Sequence, residues 1–396
     1  MKQLAMAASV LTVAAGAAQA GGLDRSYTPI DMIFEKGNYA ELSFGFVSPS
    51  ISGVDNASTV GFPANNSISN IAGEFGLASA GIKLDMSEKL SFSLIYDQPY
   101  GAETRYGGNP ATTMLGGTAA DAETHAITAL LKYQATDRIS VYGGPRSVRA
   151  NGNITLSGLA YGGFNGYNVN FSSDTGYGYV VGGAYEIPKI AFRAALTYHS
   201  AVDLSMVATE SFPAAVGGPV GIPLTQGVTE TETPQSISLD VQSGIAKDTL
   251  LFGSVRWSEW SAFTLTPPGR NLPTGLPAPA PAVVNAPGNL ASLDDTITYE
   301  IGIGRRFTDK FSASIAVSYE DGGSDNLVSP LAPTNGQTAV TLGAQYKISD
   351  AVTLSGGVRY TMFGNALPET GTPDTARGNF SDNDAISAGL KLGFHF

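Results

Sequence analysis

The sequence predicts an all-β protein, a transmembrane antiparallel β-barrel of 14 strands with a short N-terminal plug (hatch) in its lumen. Three observations predict it: apolar and small polar residues alternate along many segments, short and long connections alternate, and charged residues are scarce. Charged side chains make up 14% of the 396 residues, against roughly 25% in soluble domains. After the N-terminus no run approaches the roughly 20 apolar residues of a spanning helix. Strands are therefore the expected way to cross a bilayer.

Residues 1–20, MKQLAMAASVLTVAAGAAQA, form the first element. Lys2 gives a positive start, an apolar stretch follows, and Ala18-Gln19-Ala20 supplies the small residues of a cleavage site. This pattern predicts a secretory signal peptide of a bacterial exported protein, since it is too short for a membrane anchor helix.

Residues 21–36 precede the first strand and are the predicted plug. Ile30, Met32, Ile33 and Phe34 make this segment apolar enough to dock inside a barrel. A disordered periplasmic tail is the alternative. The resulting organisation is a signal peptide at 1–20, a plug at 21–36 and a barrel at 37–396.

The strands show a period of two. In the last segment Leu390, Leu392, Phe394 and Phe396 share one face, and the residues between them are small or polar. This is the pattern of a half-buried strand, and a Ser, Thr and Gly face suits a lumen when the apolar face meets lipid. Aromatic residues near strand ends predict an interfacial belt. They are Tyr133, Tyr185, Trp257, Trp260, Phe307, Tyr319, Tyr346 and Tyr360.

The connections set the strand count and the orientation. Six short turns are predicted at 86–88, 135–137, 186–188, 246–248, 308–309 and 349–350. Seven long loops are predicted at 49–71, 107–121, 157–173, 208–233, 266–294, 321–336 and 363–383. Short periplasmic turns and long outer loops are typical of outer-membrane barrels. The terminal Phe396 resembles the end of the strand that the barrel assembly machinery reads.

Other functional classes find little support. The net charge of −12 argues against a nucleic-acid binder, which needs a basic surface. Cysteine is absent, and His125, His199 and His395 lie far apart. We therefore expect no enzyme, no catalytic residues, no cofactor and no metal site.

Three stretches resemble the FadL-type outer-membrane transporters of long-chain fatty acids and other hydrophobic compounds. They are residues 72–101, 182–204 and 234–263, the last reading PQSISLDVQSGIAKDTLLFGSVRWSEWSAF. The resemblance implies a 14-stranded barrel, an N-terminal hatch and a kinked third strand through which substrate leaves sideways. The segment 21–36 departs from the family because it is shorter and lacks an Asn-Pro-Ala stretch.

Candidate gating residues lie in the third strand and in the plug. Pro99, followed by Tyr100 and Gly101, interrupts the strand, since proline cannot donate to a ladder. A bend at the outer rim is the alternative. Ile33 and Phe34 are the gating candidates of the plug.

Candidate ligand-binding residues lie in two outer loops. Large exposed apolar surfaces usually mark binding sites, although a lid or a lipopolysaccharide contact would also explain them. The apolar candidates are Tyr161, Phe164, Tyr167 and Phe171 in loop 157–173, and Phe212, Ile222 and Leu224 in loop 208–233. The resemblance implies that these loops capture ligand and that Arg149 matches a cationic residue of the fifth strand. We expect Arg149 to face the lumen and to contact a ligand carboxylate. Pairing of Arg149 with a nearby carboxylate is the alternative.

The sequence thus predicts a passive transporter in the outer membrane of a Gram-negative bacterium. Its expected ligands are long-chain fatty acids or similar hydrophobic small molecules, and outer-membrane lipid and lipopolysaccharide are expected contacts. Release through the barrel includes a lateral route at the kink of the third strand. A general aqueous diffusion porin, or a surface adhesin or structural barrel, are the alternatives.

Overall fold

A computed structural model describes residues 23–26, 28–56, 65–211, 213, 225–271, 289–291, 293–323 and 325–396. The signal peptide predicted at 1–20 lies outside these residues. So do three of the predicted ligand-binding residues, Phe212, Ile222 and Leu224.

The described chain forms a closed antiparallel barrel, which confirms the predicted fold. Its strands are β1 Tyr39–Ser50, β2 Phe75–Asp85, β3 Leu90–Asp97 with Gly101–Arg105, β4 Ala119–Gln134, β5 Ile139–Leu156, β6 Tyr167–Ile187, β7 Phe192–His199 with Val202–Ser211, β8 Thr225–Thr233 with Ser236–Ala246, β9 Thr249–Ser258, β10 Thr296–Arg306, β11 Phe311–Glu320, β12 Gln337–Lys347, β13 Val352–Phe363 and β14 Asp384–His395. The last strand pairs with the first, with Tyr39 opposite His395. Closure leaves no sheet edge exposed to lipid.

Short 3₁₀ helices and small sheets lie outside the barrel strands. The 3₁₀ helices are Ile30–Phe34, Leu159–Phe164, Pro188–Ile190, Trp260–Ala262 and Pro268–Asn271. Small sheets of the outer loops join Gly53–Asp55 with Ser67–Ile68 and Gly378–Phe380, and Leu327–Val328 with Leu367–Pro368. No helix of the described residues is long and apolar enough to cross a membrane.

The outer face of the barrel is apolar, as its sequence period predicts. Phe44, Leu342 and Leu390 are each more than half exposed on this face. Of the predicted belt residues, Trp260 is placed wrongly, because it is 1% exposed and lies in the lumen. The reason is local: β9 ends at Ser258, and the 3₁₀ helix Trp260–Ala262 turns the chain inward.

Two predicted outer loops are shorter than expected. Strand β7 continues to Ser211 and β8 begins at Thr225, so much of the loop predicted at 208–233 is strand. Likewise β6 begins at Tyr167, within the loop predicted at 157–173. Alternation there continues beyond the roughly 9–11 residues that span a bilayer, so the strands project past the membrane.

Candidate functional site: an apolar pocket beside a gap in the barrel wall

The ladder between β2 and β3 is interrupted. Ala80 pairs with Tyr96, and pairing resumes only at an isolated bridge between Ala72 and Thr104. Pro99 lies in the interruption and has no N–H to donate. One stray β2 donor, the Ala78 N–H, is satisfied by the side-chain carbonyl of Gln98 at 2.9 Å. We call this interruption, bounded by residues 73–79 and 97–102, the wall gap.

A bulge in β3 produces the wall gap. Asp97 lies opposite Ala126 of β4, whereas Gly101 lies opposite Glu123. Four steps along β3 therefore match three steps along β4, so β3 holds one extra residue. An extra residue bends a strand and disrupts its ladder locally, which separates β3 from β2.

The start of the described chain fills the wall gap. The N–H groups of Arg25 and Ser26 donate to the Pro99 carbonyl at 2.7 and 3.2 Å, and the Gly101 N–H donates to the Leu23 carbonyl at 2.8 Å. Residues 23–26, the plug strand, thus take the place of β2 beside β3. The wall is therefore closed here by a segment that is not one of the barrel strands.

Polar side chains fix the plug strand on its lumenal side. The Trp260 indole N–H donates to Asp24 Oδ2 at 2.8 Å, and Arg256 Nη2 lies 3.7 Å from Asp24 Oδ1. Thr28 Oγ1 donates to Asp97 Oδ2 at 3.1 Å.

The rest of the plug is anchored nearer the periplasm. The Lys132 ammonium donates to the Ile33 carbonyl at 3.1 Å and lies 4.5 Å from the centroid of the Phe34 ring. Arg193 lies on the same ring at 4.2 Å and pairs with Asp31 at 2.8 Å. These contacts place the described plug residues against lumenal side chains of β4 and β7.

An apolar pocket of about 100 Å³ lies on the outer side of the plug strand, at the wall gap. Tyr100 and Gly101 of β3 border both the pocket and the gap. The Tyr100 and Trp260 rings meet edge to face with centroids 5.4 Å apart. Other apolar lining residues are Leu23, Ala150, Ile154, Phe171, Leu204, Met206, Phe263, Leu293 and Leu331.

A second cavity, of about 160 Å³, lies beside the plug, and its mixed lining combines apolar residues with several charged ones; we call it the polar cavity. Its charged lining residues are Asp31, Arg193, Asp240, Arg256, Glu300 and Arg359. A third cavity, of about 590 Å³, lies among the outer loops. The lumen is thus divided into an outer vestibule, an apolar middle and a polar inner part.

The aromatic candidates of loop 157–173 separate in space. Phe171 lines the apolar pocket, and Tyr161 and Phe164 line the outer vestibule. Tyr167 lines neither: it is fully buried and donates to Glu210 Oε1 at 2.6 Å. The expectation of a broad exposed apolar surface is wrong for Phe164, Tyr167 and Phe171, because the loop folds inward and buries them.

The expected lumenal position of Arg149 is also wrong. Its neighbours Val148 and Ala150 are buried in the lumen, so Arg149 is exposed on the outer face. The lumenal arginine of β5 is Arg146, which is buried. Counting alternate residues from the apolar, outward Val141 gives this outward orientation. The match to the family's fifth strand gave the opposite one.

The gating candidates occupy two places. Pro99, Tyr100 and Gly101 border the wall gap. Phe34 lines the polar cavity, whereas Ile33 is buried and its carbonyl accepts from Lys132. Their roles in gating stay predictions. Sequence reasoning missed Asp24, Arg25 and Trp260, although a charged pair next to an apolar plug was a signal that it could have used.

We expect Trp260→Ala to destabilise the barrel by about 3 kcal/mol, because a nearly fully buried indole leaves a cavity and Asp24 loses its donor. The measurement is the temperature at which the folded band disappears on semi-native gels. Trp257→Ala is the matched control, since Trp257 is only half-buried. Equal shifts in the two variants would contradict the lumenal packing of Trp260.

Solved structures of low sequence identity share this fold. A Pseudomonas aeruginosa FadL homologue superposes with a TM-score of 0.72 at 16% identity, covering 98% of each chain. The Pseudomonas putida toluene transporter TodX gives 0.63 at 13% identity, and the Ralstonia pickettii toluene transporter TbuX gives 0.60 at 14%, both covering 98% of each chain. No curated protein matches the chain significantly.

A closed antiparallel barrel with an apolar outer face is the architecture of an outer-membrane β-barrel protein. The chain belongs to the outer membrane protein transport protein family (OMPP1/FadL/TodX), which matches residues 10–396 and confirms the resemblance. The protein is therefore located in the outer membrane of a Gram-negative bacterium. Members of this family are transport channels rather than enzymes. The described residues contain no group of three or more His, Cys, Asp or Glu placed to hold a metal.

Proposed function

We propose that the protein is a passive channel for small hydrophobic molecules. Ligand enters the outer vestibule, leaves water in the apolar pocket, and passes through the wall gap into the bilayer when the plug strand detaches from β3. The observation that carries this proposal is the position of the apolar pocket at a gap closed only by residues 23–26.

Lateral exit follows from the polarity of the lumen. Each buried CH₂ contributes about 0.8 kcal/mol, and a ligand moving on toward the periplasm would lose this in a cavity lined by Arg193, Asp240 and Glu300. The bilayer core offers an environment as apolar as the pocket. The wall gap is therefore the favoured exit, and no energy coupling is required.

The size of the pocket favours compact ligands. Its volume is about 100 Å³, and an engineered cavity of roughly 150 Å³ binds benzene. A long acyl chain needs several times that space. Toluene, which the names of TodX and TbuX give as their substrate, needs a much smaller widening of the pocket than an acyl chain does.

Long-chain fatty acids remain the second candidate because of two lumenal arginines. Arg146 and Arg256 lie near Asp24, and arginine binds carboxylates with two parallel hydrogen bonds. A fatty-acid carboxylate would have to compete with Asp24 for these cations. Its chain would also need the pocket to enlarge.

Uptake assays test the proposal. We expect cells that carry the protein to accumulate labelled toluene faster than cells lacking it, with oleate uptake changed little. Faster uptake of oleate alone would favour the fatty-acid candidate. If cells with and without the protein take up each compound at the same rate, hydrophobic transport is refuted. Steady, large ion conductance in single-channel recordings would instead favour the aqueous porin.

A pocket-filling substitution provides a sharper test. We expect Met206→Trp to reduce toluene uptake roughly tenfold, because the larger ring occupies the space where ligand would bind. Val207→Trp is the matched control, since Val207 is the next residue of β7 and is exposed on the lipid side. If both variants transport like the native protein, the pocket is not on the route.

A further inference from the structure

We infer that Arg25 is a latch, that is, a positioning residue. Its guanidinium enters the wall gap from the lumen and holds the plug strand in place beside β3. This inference rests on the proposed function, since the latch controls the proposed exit. It adds one cation to the contacts that hold the plug strand in the closed state.

The side of the wall on which Arg25 ends follows from Gly101. Directly opposite residues of paired strands point to the same face, and Gly101 lies opposite Glu123. Glu123 is exposed on the outer face, because it precedes the buried Thr124 and lies four residues, two full periods of the strand, before the outward Ile127. A Cβ on Gly101 would point to that face and lie 2.5 Å from Arg25 Cζ. The guanidinium therefore occupies the outer side of Gly101, which only glycine permits.

An aromatic ring supports the guanidinium at the gap. Arg25 Cζ lies 4.3 Å from the centroid of the Phe75 ring. Phe75 is the first residue of β2 and lies opposite the buried Val47 of β1. Its ring therefore comes from the lumenal side, and the guanidinium lies in the gap between this ring and the outer face. Cation–π contacts of this kind stabilise partly desolvated arginines.

Three carboxylates face the guanidinium. Glu103 and Asp121 lie opposite each other on β3 and β4 and are exposed on the outer face, as is Glu123. All three lie on the same face as Gly101, beside which the guanidinium lies. The face also carries His125, whose Nε2 lies 3.4 Å from Glu123 Oε1, and the exposed Arg105 and Arg149.

This arrangement gives the plug strand two independent attachments. On one side the Pro99 carbonyl accepts its backbone N–H groups, and on the other the outer carboxylates attract its side chain. To detach, the segment must draw a guanidinium back past Phe75 and away from its counter-charges. Weakening the latch should therefore lower the occupancy of the closed state before it affects the barrel.

A cysteine pair at Asp24 and Tyr100 measures that occupancy. The chain has no cysteine of its own, and these residues form an antiparallel bridge. In the D24C/Y100C protein in liposomes, the rate of copper-phenanthroline oxidation reports how often the plug strand is docked. We expect R25Q to slow cross-linking about fivefold, as loss of a partly exposed cation–π contact predicts. R25K should fall between, because lysine keeps the charge without the planar stacking group.

Arg105→Gln is the matched control, since Arg105 is exposed on the same face of β3. We expect it to leave the rate unchanged, and the triple change E103Q/D121N/E123Q to slow it as R25Q does. An unchanged rate in R25Q, or an equal slowing in R105Q, overturns the latch. If R25Q fails to fold on semi-native gels, the R25K rate decides. Should R25Q leave the rate unchanged while the oxidised parent still blocks uptake, the latch fails and the proposed function stands.

Discussion

Oxidation of the D24C/Y100C pair will stop uptake of labelled toluene, and reduction will restore it. The hydrogen bonds of Arg25 and Gly101 flank this bridge, so the two residues form a non-hydrogen-bonded pair with Cα atoms about 4.5 Å apart. That spacing lies within the range of disulfides. A covalent bond here holds residues 23–26 in the wall gap, so transport should fall to the level of cells lacking the protein.

Single-cysteine variants and a second cysteine pair separate the effect of the disulfide from the effects of the substitutions. D24C and Y100C as single variants show what loss of each side chain does, since Asp24 contacts Trp260 and Tyr100 lines the pocket. A second cysteine pair, at Ala313 and Ala344 of the opposed β11 and β12, cross-links the wall away from the gap. Uptake that persists in the fully oxidised D24C/Y100C protein would show that ligand does not need the plug strand to move.

Restoring the ladder between β2 and β3 should abolish toluene uptake as completely as the disulfide does. From Tyr96 to Thr104 β3 advances eight residues while the opposed β4 advances seven, from Ile127 to Ala120. Strand β2 also advances eight, between Ala80 and Ala72. Deleting Pro99 and Glu74 removes one residue from each strand and makes the three strands continuous. A continuous ladder leaves no exit for the ligand.

Ligand binding distinguishes a closed wall from a damaged pocket. Trp260 lines the pocket, so quenching of its fluorescence by a bromobenzene series should persist in the double deletion. The deletion of Pro99 alone should transport partially, because one strand still carries its extra residue. Native uptake by the double deletion, with quenching intact, would contradict lateral release.

The barrel was predictable because its signal is repeated along the whole chain. Alternation along Leu390, Leu392 and Phe394 places lipid-facing side chains, and short turns such as 349–350 place the periplasmic end. Each such pattern is local, and its physical cause, a strand between lipid and water, is the same everywhere. The interruption at Pro99 was visible for the same reason, since proline lacks a donor.

The site was less predictable because it is made by contacts between distant residues. Asp24 and Trp260 meet across the lumen, and neither has a local pattern that reveals the other. Trp260 looked like a belt residue because it follows a strand that ends near the interface. For Arg149 the local signal was sufficient. Alternation along β5 indicates its outward orientation, whereas the resemblance to the family's fifth strand indicated the lumen.

The central claim is that hydrophobic ligand occupies the apolar pocket beside the wall gap. A crystal of the protein soaked with bromobenzene tests it directly, because bromine gives an anomalous signal. We predict a peak in the pocket between Tyr100, Trp260 and Met206. A peak confined to the polar cavity beside Arg193 and Glu300, or no peak in the lumen, would contradict the claim.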